Sequence, residues 1–220
     1  MSSAGQAEPG VAYDWPLPAF PSQVVRGAPT VTIEAAVDEL TARRFYRLYV
    51  KTFGELAVKA VARQLLHEHE FMAEMLDDRV DKYLAWDEQG EAVAMCTLTR
   101  HLETVPWISP DYFAHHFPEH TARDAVYYLG FILVDQDHRR SHLSMDLIRR
   151  LSETLIEQRA MCAYDICSYN NEVLGLADAI ATLITGMADV DVAAIDTQTY
   201  YRAIALGPRK MPEMRNIRRE

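Results

Sequence analysis

The sequence contains no uninterrupted apolar run of about 18 residues, so a membrane-spanning helix is not expected. Cysteine is scarce. Cys96, Cys162 and Cys167 form an odd set with no framework or CxxC spacing, which points to free thiols in a reducing compartment. Positive charge is in deficit. Lys plus Arg number 22 against 32 Asp plus Glu, a net charge of −10, and this argues against the broad basic footprint of a nucleic-acid binder. The first ten residues have neither a basic stretch nor an apolar one, so no secretory signal is expected. These absences predict a cytoplasmic protein with no nucleic-acid or membrane partner. What is present is a globular balance: 49% apolar and 25% charged residues over 220 positions, enough for one domain with a full core.

Residues 1–30 carry Pro9, Pro16, Pro18, Pro21 and Pro29 among Trp15, Phe20 and Val24. Proline fixes φ and removes donors, so this segment reads as extended and irregular, either a loose tail or a strap over the domain. A single domain is expected over 31–206, and a charged tail over 207–220. Within the domain, 31–36 reads as a strand. Asp38 can cap a helix whose Phe45, Leu48, Tyr49 and Phe53 share one face. A second helical stretch spans about 55–76, as one helix or two. Two β-rich runs, 82–86 and 92–98, flank Asp87-Glu88-Gln89-Gly90 and read as an antiparallel hairpin. A proline-punctuated connection over 104–123 is expected to hold about one helical turn. The nearly unbroken apolar run 125–134 predicts a central strand covered on both faces. A helix over 141–158, a strand over 162–169, a helix over 172–185 ended by Gly186, and closing strands at 190–195 and 199–205 complete the chain. The fold class read from this order is α/β (α+β): a mixed, mostly antiparallel sheet flanked by helices.

The segment that carries chemistry is Leu133-Val134-Asp135-Gln136-Asp137-His138-Arg139-Arg140-Ser141-His142-Leu143-Ser144. A buried strand runs into a polar turn that opens directly into a helix. The first helical turn has unpaired N–H groups and the positive end of the dipole, a natural seat for an anion. Arg139 and Arg140 add positive charge, and a diphosphate is the expected guest. His115, His116 and His120 meet no metal-ligand spacing, because Pro118 interrupts any helix that would align them, so no metal is expected.

This strand, turn and helix resembles the GNAT superfamily of N-acetyltransferases. The superfamily's Gln/Arg-x-x-Gly-x-Gly/Ala pattern falls on Arg139 to Ser144, with His142 standing at a glycine position. The strand 163–169 and Asn170-Asn171 resemble the next strand and its Asn. The tyrosine that often acts as acid would fall near Thr182 and is absent. The resemblance covers about 80–187, and it implies an acyltransferase that moves an acyl group from acetyl-CoA, a longer acyl-CoA or an acyl carrier protein to a small amine. The donor would lie against Leu133, Val134, Arg139, Arg140, Ser141, His142, Leu143, Ser144 and Asn170. Tyr169, Asp165 and His101 are the candidate proton carriers. The alternative is a catalytically silent protein of the same fold that binds acyl-CoA or another ligand, and a different α/β fold with a phosphate site also stays open. Asp77 to Tyr83, with the 106–118 insertion, looks similar to the branch of N-acyl amino acid synthases and acyl-homoserine-lactone synthases. The oligomeric state, a homodimer included, is left open.

Overall fold

The computed structural model describes residues 30–62, 65–138 and 142–207. The Pro-rich leader, Arg139, Arg140, Ser141 and the tail from 208 lie outside the described residues. Five strands form one sheet in chain order: β1 (Thr30–Glu34), β2 (Val80–Trp86), β3 (Ala92–Thr99), β4 (Val126–Val134) and β5 (Met161–Ala163). The first four pair antiparallel, and β5 joins β4 in parallel. The mixed, mostly antiparallel sheet read from the sequence is therefore what the chain forms. Its rank order differs in one respect. The middle strand is β3, while β4 is fourth of five, with fully buried positions at only some of its residues.

Helices cover both faces. α1 (Glu39–Phe53) and α2 (Glu68–Leu76) lie on one, and α5 (His142–Glu157) lies on the other, with the short α3 (Pro110–His116) and α4 (Pro118–Ala122) in between along the chain. Strand alternation distributes the side chains. Leu84 and Met95 pack against Phe45, Leu48, Phe71 and Met75 of the first layer. Their neighbours Tyr83, Ala85, Ala94 and Cys96 pack against Leu143, Leu147 and Leu151 of α5.

Local signals account for the boundaries. Asp38 accepts the Thr41 N–H at 3.0 Å and starts α1. The β2–β3 turn closes through Gly90 N–H to Asp87 O at 3.0 Å, and Gly90 takes φ 76°, a left-handed value that glycine adopts without strain. The stretch expected as helix over 55–76 resolves into a tight turn at Gly54–Val58 and the separate α2. The 104–123 connection holds two helices rather than one turn. Pro110 and Pro118 sit in their first turns, where a missing N–H costs nothing.

Beyond β5 the sequence misleads. The strand expected over 162–169 stops at Ala163; the chain turns helically at Tyr169–Val173 and continues as α6 (Leu176–Thr185). Residues 189–206, read as two closing strands, are exposed and without regular structure. Their β-branched and aromatic content is a preference that needs a partner edge, and the three-residue β5 offers little of one.

A pH effect arises at the end of α2. Asp77 accepts from Arg79 Nη2 at 2.6 Å and from its backbone N–H at 3.0 Å, and these contacts, led by the guanidinium hydrogen bond, bring its carboxyl from 3.8 down to about 2. A carboxyl depressed by folding stabilises the native state above its unfolded pKa and loses that contribution as pH falls through its folded one. Urea unfolding of Asp77→Asn is therefore expected to give lower stability than the native chain at pH 7. The two curves should converge between about pH 4 and pH 2. Arg79 is half exposed, so the effect is small and falls with salt.

Candidate functional site

β4 and β5 pair over only three positions, Val126↔Met161, Tyr127↔Cys162 and Tyr128↔Ala163. Pairing stops at Tyr128 because β5 ends at Ala163, and no described strand lies along residues 129–134 on that side. The other side of β4 carries a bulge. Its register with β3 moves from Thr97↔Phe131 to Leu98↔Leu129, which leaves Gly130 without an opposite residue. The strand thus opens and bends at one place. It ends at Val134, and Asp135 secures the exit by accepting from Lys51 Nζ at 2.7 Å while its own N–H donates to Val93 O at 2.8 Å.

A small cleft, with about 30 Å³ of interior space and a mouth open to solvent, lies beside this opening. Val80, Thr99 and Tyr128 stand opposite one another across β2, β3 and β4 and form one row of its wall. Thr97 and Gly130 form the next. The segment Thr104–Trp107 covers the first row, and Glu74 reaches in from α2. Glu74 follows Phe71 by three residues and precedes Met75, both fully buried, so its carboxyl is carried to the inner face of the helix. Glu74 is half-buried, and its side chain lines the cleft. Desolvation is the largest influence on it and raises its pKa. The Thr97 hydroxyl beside it favours the charged form, in a geometry that completes no hydrogen bond. A second polar chain frames the cleft: Trp107 Nε1 donates to Tyr128 Oη at 3.0 Å, and the Tyr128 hydroxyl donates to Asp165. Burial, reinforced by Asp165, pushes the Tyr128 hydroxyl above its usual range, so it stays protonated.

The residues expected from sequence are distributed unevenly around this site. Asp165 reaches the cleft wall through Tyr128. Tyr169 instead lies under Lys59, whose Nζ is 4.8 Å from its ring centre, and His101 is half-buried beside Glu103 at 3.5 Å. Neither lines the cleft, and no contact brings the three together. Leu133 is buried toward α1 and α2, and Val134 is half-buried toward α5. At the start of α5, His142 is exposed while Leu143 and Ser144 are buried. Asn170 is half-buried in the turn after β5. Glu74, Thr97 and Gly130 were missed. The available signal was the placement of Glu74 between two apolar residues at inward-facing helical spacing. The thiols are poorly suited to nucleophilic attack where buried: desolvation pushes Cys162 up to about 12 and raises Cys96 as well. Among the described residues no His, Cys, Asp and Glu group is arranged to hold a metal ion, and no helix is long and apolar enough to cross a membrane.

No family model matches the chain, and no curated protein matches it by sequence. Solved structures give distant likenesses. A ribosomal-protein-alanine N-acetyltransferase from Brucella melitensis is 15% identical, with 81% of this chain and 100% of that one covered, at a TM-score of 0.44. An aminoglycoside 6'-N-acetyltransferase from Acinetobacter baumannii is 14% identical over 80% and 99% of the two chains, at 0.47. The aminoglycoside enzyme solved with a CoA-linked bisubstrate analogue is 13% identical over 80% and 99%, at 0.45. At such identities and scores these likenesses carry no weight for the function, which rests on the chain's own geometry.

Proposed function

We propose that this chain is an acyltransferase of the GNAT type, which transfers an acyl group from acyl-CoA to a small amine. The observation that carries the reading is the unpaired edge of β4 beyond the end of β5, beside the Gly130 bulge, with a cleft lined by a carboxyl alongside and a helix opening after the strand. A thioester arm can lie along the open edge Leu129–Val134 and take hydrogen bonds from backbone amides there, which would polarise its carbonyl. The diphosphate would rest at the mouth of α5, by its first residues His142, Leu143 and Ser144. CoA is favoured over a carrier protein as donor. A carrier protein would need a basic dock, and Arg149 is already engaged within α5 by Asp146 at 3.2 Å and Glu153 at 2.7 Å. Asp165 acts by holding Tyr128 in place rather than by meeting the substrate.

Calorimetry with acetyl-CoA and longer acyl-CoAs tests the reading. Saturable binding below millimolar ligand is the expected result, and no heat at millimolar concentration would overturn it. Thiol release with a panel of amines then separates an enzyme from a silent acyl-CoA binder. His142→Gly is expected to strengthen donor binding severalfold, because it removes an imidazole from the helix mouth.

A further inference from the structure

We infer that the cleft floored by Glu74 and Thr97 receives the nitrogen of a small monoamine that carries no carboxylate, an arylalkyl or alkyl amine, and selects against α-amino acids. The inference rests on the acyltransferase reading and deepens it by naming the class of acceptor.

Three observations converge. First, the charge facing the cleft has one sign. Among the described residues Glu74 is the only carboxylic acid lining it, and no Lys, Arg or His lines it. Lys82, fully buried nearby, is committed elsewhere: its Nζ donates to Ala35 O at 2.6 Å and to Asp77 O at 2.5 Å. An ammonium entering here gains a charge-assisted hydrogen bond away from bulk water. A carboxylate on the same carbon would face Glu74; Lys82 acts on Glu74 through space but does not line the cleft, and such a like-charge approach is how a site rejects a near-relative of its ligand.

Second, the Thr97 hydroxyl is enclosed and unused. Thr97 is 1% exposed, and its Oγ1 has no hydrogen-bond partner. Buried polar groups are nearly always paired, so an orphan at a cleft wall marks a place where a ligand atom completes the bonding. The two oxygens converge. A Cβ on Gly130 would lie 2.5 Å from Thr97 Oγ1 and 3.6 Å from Glu74 Oε1, so both reach the space beside the bulge. That is where β4 becomes free of β5. Third, the side wall is aromatic. Trp107 and Tyr128 meet edge to face at 6.3 Å, a surface suited to an aryl group or to the flank of a cation.

The chemistry balances with this assignment. The acceptor arrives as an ammonium and passes one proton to the Glu74 carboxylate, a transfer helped by the raised pKa of that group. The neutral nitrogen attacks the thioester carbonyl carbon; the C–N bond forms and the C–S bond breaks. The second nitrogen proton ends on the departing thiolate, and Glu74 returns its proton to solvent.

The test is calorimetry of the full chain with phenethylamine and with phenylalanine, run beside a titration with acetyl-CoA. Phenethylamine should bind at least about tenfold tighter than phenylalanine. Glu74→Gln should weaken phenethylamine about tenfold or more with acetyl-CoA affinity unchanged, and Thr97→Val should weaken it severalfold. Phenylalanine binding as well as the amine, or full amine affinity in Glu74→Gln, would overturn the inference. If either variant fails to fold, the comparison of the two ligands on the native chain decides alone. Failure of amine binding with acetyl-CoA binding intact removes this inference and leaves the acyltransferase reading standing. Loss of acetyl-CoA binding with amine selectivity intact does the reverse.

Discussion

Phe45→Ala is expected to lower the stability of the fold by about 3–5 kcal/mol, the range for deleting a buried aromatic ring. Phe45 is fully buried at the middle of α1, and it meets the Trp86 ring edge to face at 5.2 Å. The void would be hard to close. Trp86 is held by its Nε1 donating to Thr32 Oγ1 at 3.2 Å, and Ala42 beside it has little side chain to give. Against a total stability of about 5–15 kcal/mol, such a loss unfolds a measurable fraction of the protein at 37 °C. Phe45→Leu keeps most of the volume and should cost roughly 1–1.5 kcal/mol. Urea midpoints of the two variants against the native chain check both the size and the ordering. Equal losses would mean that ring packing on Trp86, rather than volume, sets the cost.

Gly130→Ala is expected to cost about 1–3 kcal/mol and to close the cleft floor. The added methyl would come to 2.5 Å from Thr97 Oγ1, a separation that real contacts do not adopt. Thr97 is buried in the wall of the cleft. Either its rotamer or the bulge must shift. Thr97→Ala in the same chain removes the colliding atom, so the double variant should lose less than the sum of the single losses, a coupling readable from a four-member unfolding cycle. Strict additivity would mean that the bulge does not bring Gly130 against Thr97.

The parts of the fold that were legible in the sequence are those decided by short-range chemistry. The apolar face of α1 and its Asp38 cap follow from helical spacing and from an acceptor placed one residue before the helix. The β2–β3 hairpin follows from Asp87 and Gly90, whose turn bonds are made within five residues. The rank of β4 was not legible, because apolar content reports that a strand is covered and not where it stands in a sheet. The closing strands failed for the opposite reason: 190–195 and 199–205 have strand composition but join no edge of the sheet. At the site, Asp165 was a candidate, yet its attachment to Tyr128 joins residues 37 apart and leaves no local trace. Glu74 was passed over because a charged residue in a helix reads as surface, although Phe71 and Met75 fix its direction. The cleft beside Gly130, with Glu74 at its wall, was not expected.

The extra residue at Gly130 gives β4 two phases. Before it, Val126 and Tyr128 look one way and Tyr127 and Leu129 the other; after it, Phe131 and Leu133 rejoin the helix-pair side, and Ile132 and Val134 join Leu129 over α5. Even and odd positions exchange layers in mid-strand. Drawing that extra residue into the regular ladder would therefore act like a frameshift written in space: every side chain downstream would turn to the opposite core, whereas deleting Gly130 would leave residues 131–134 on their present faces.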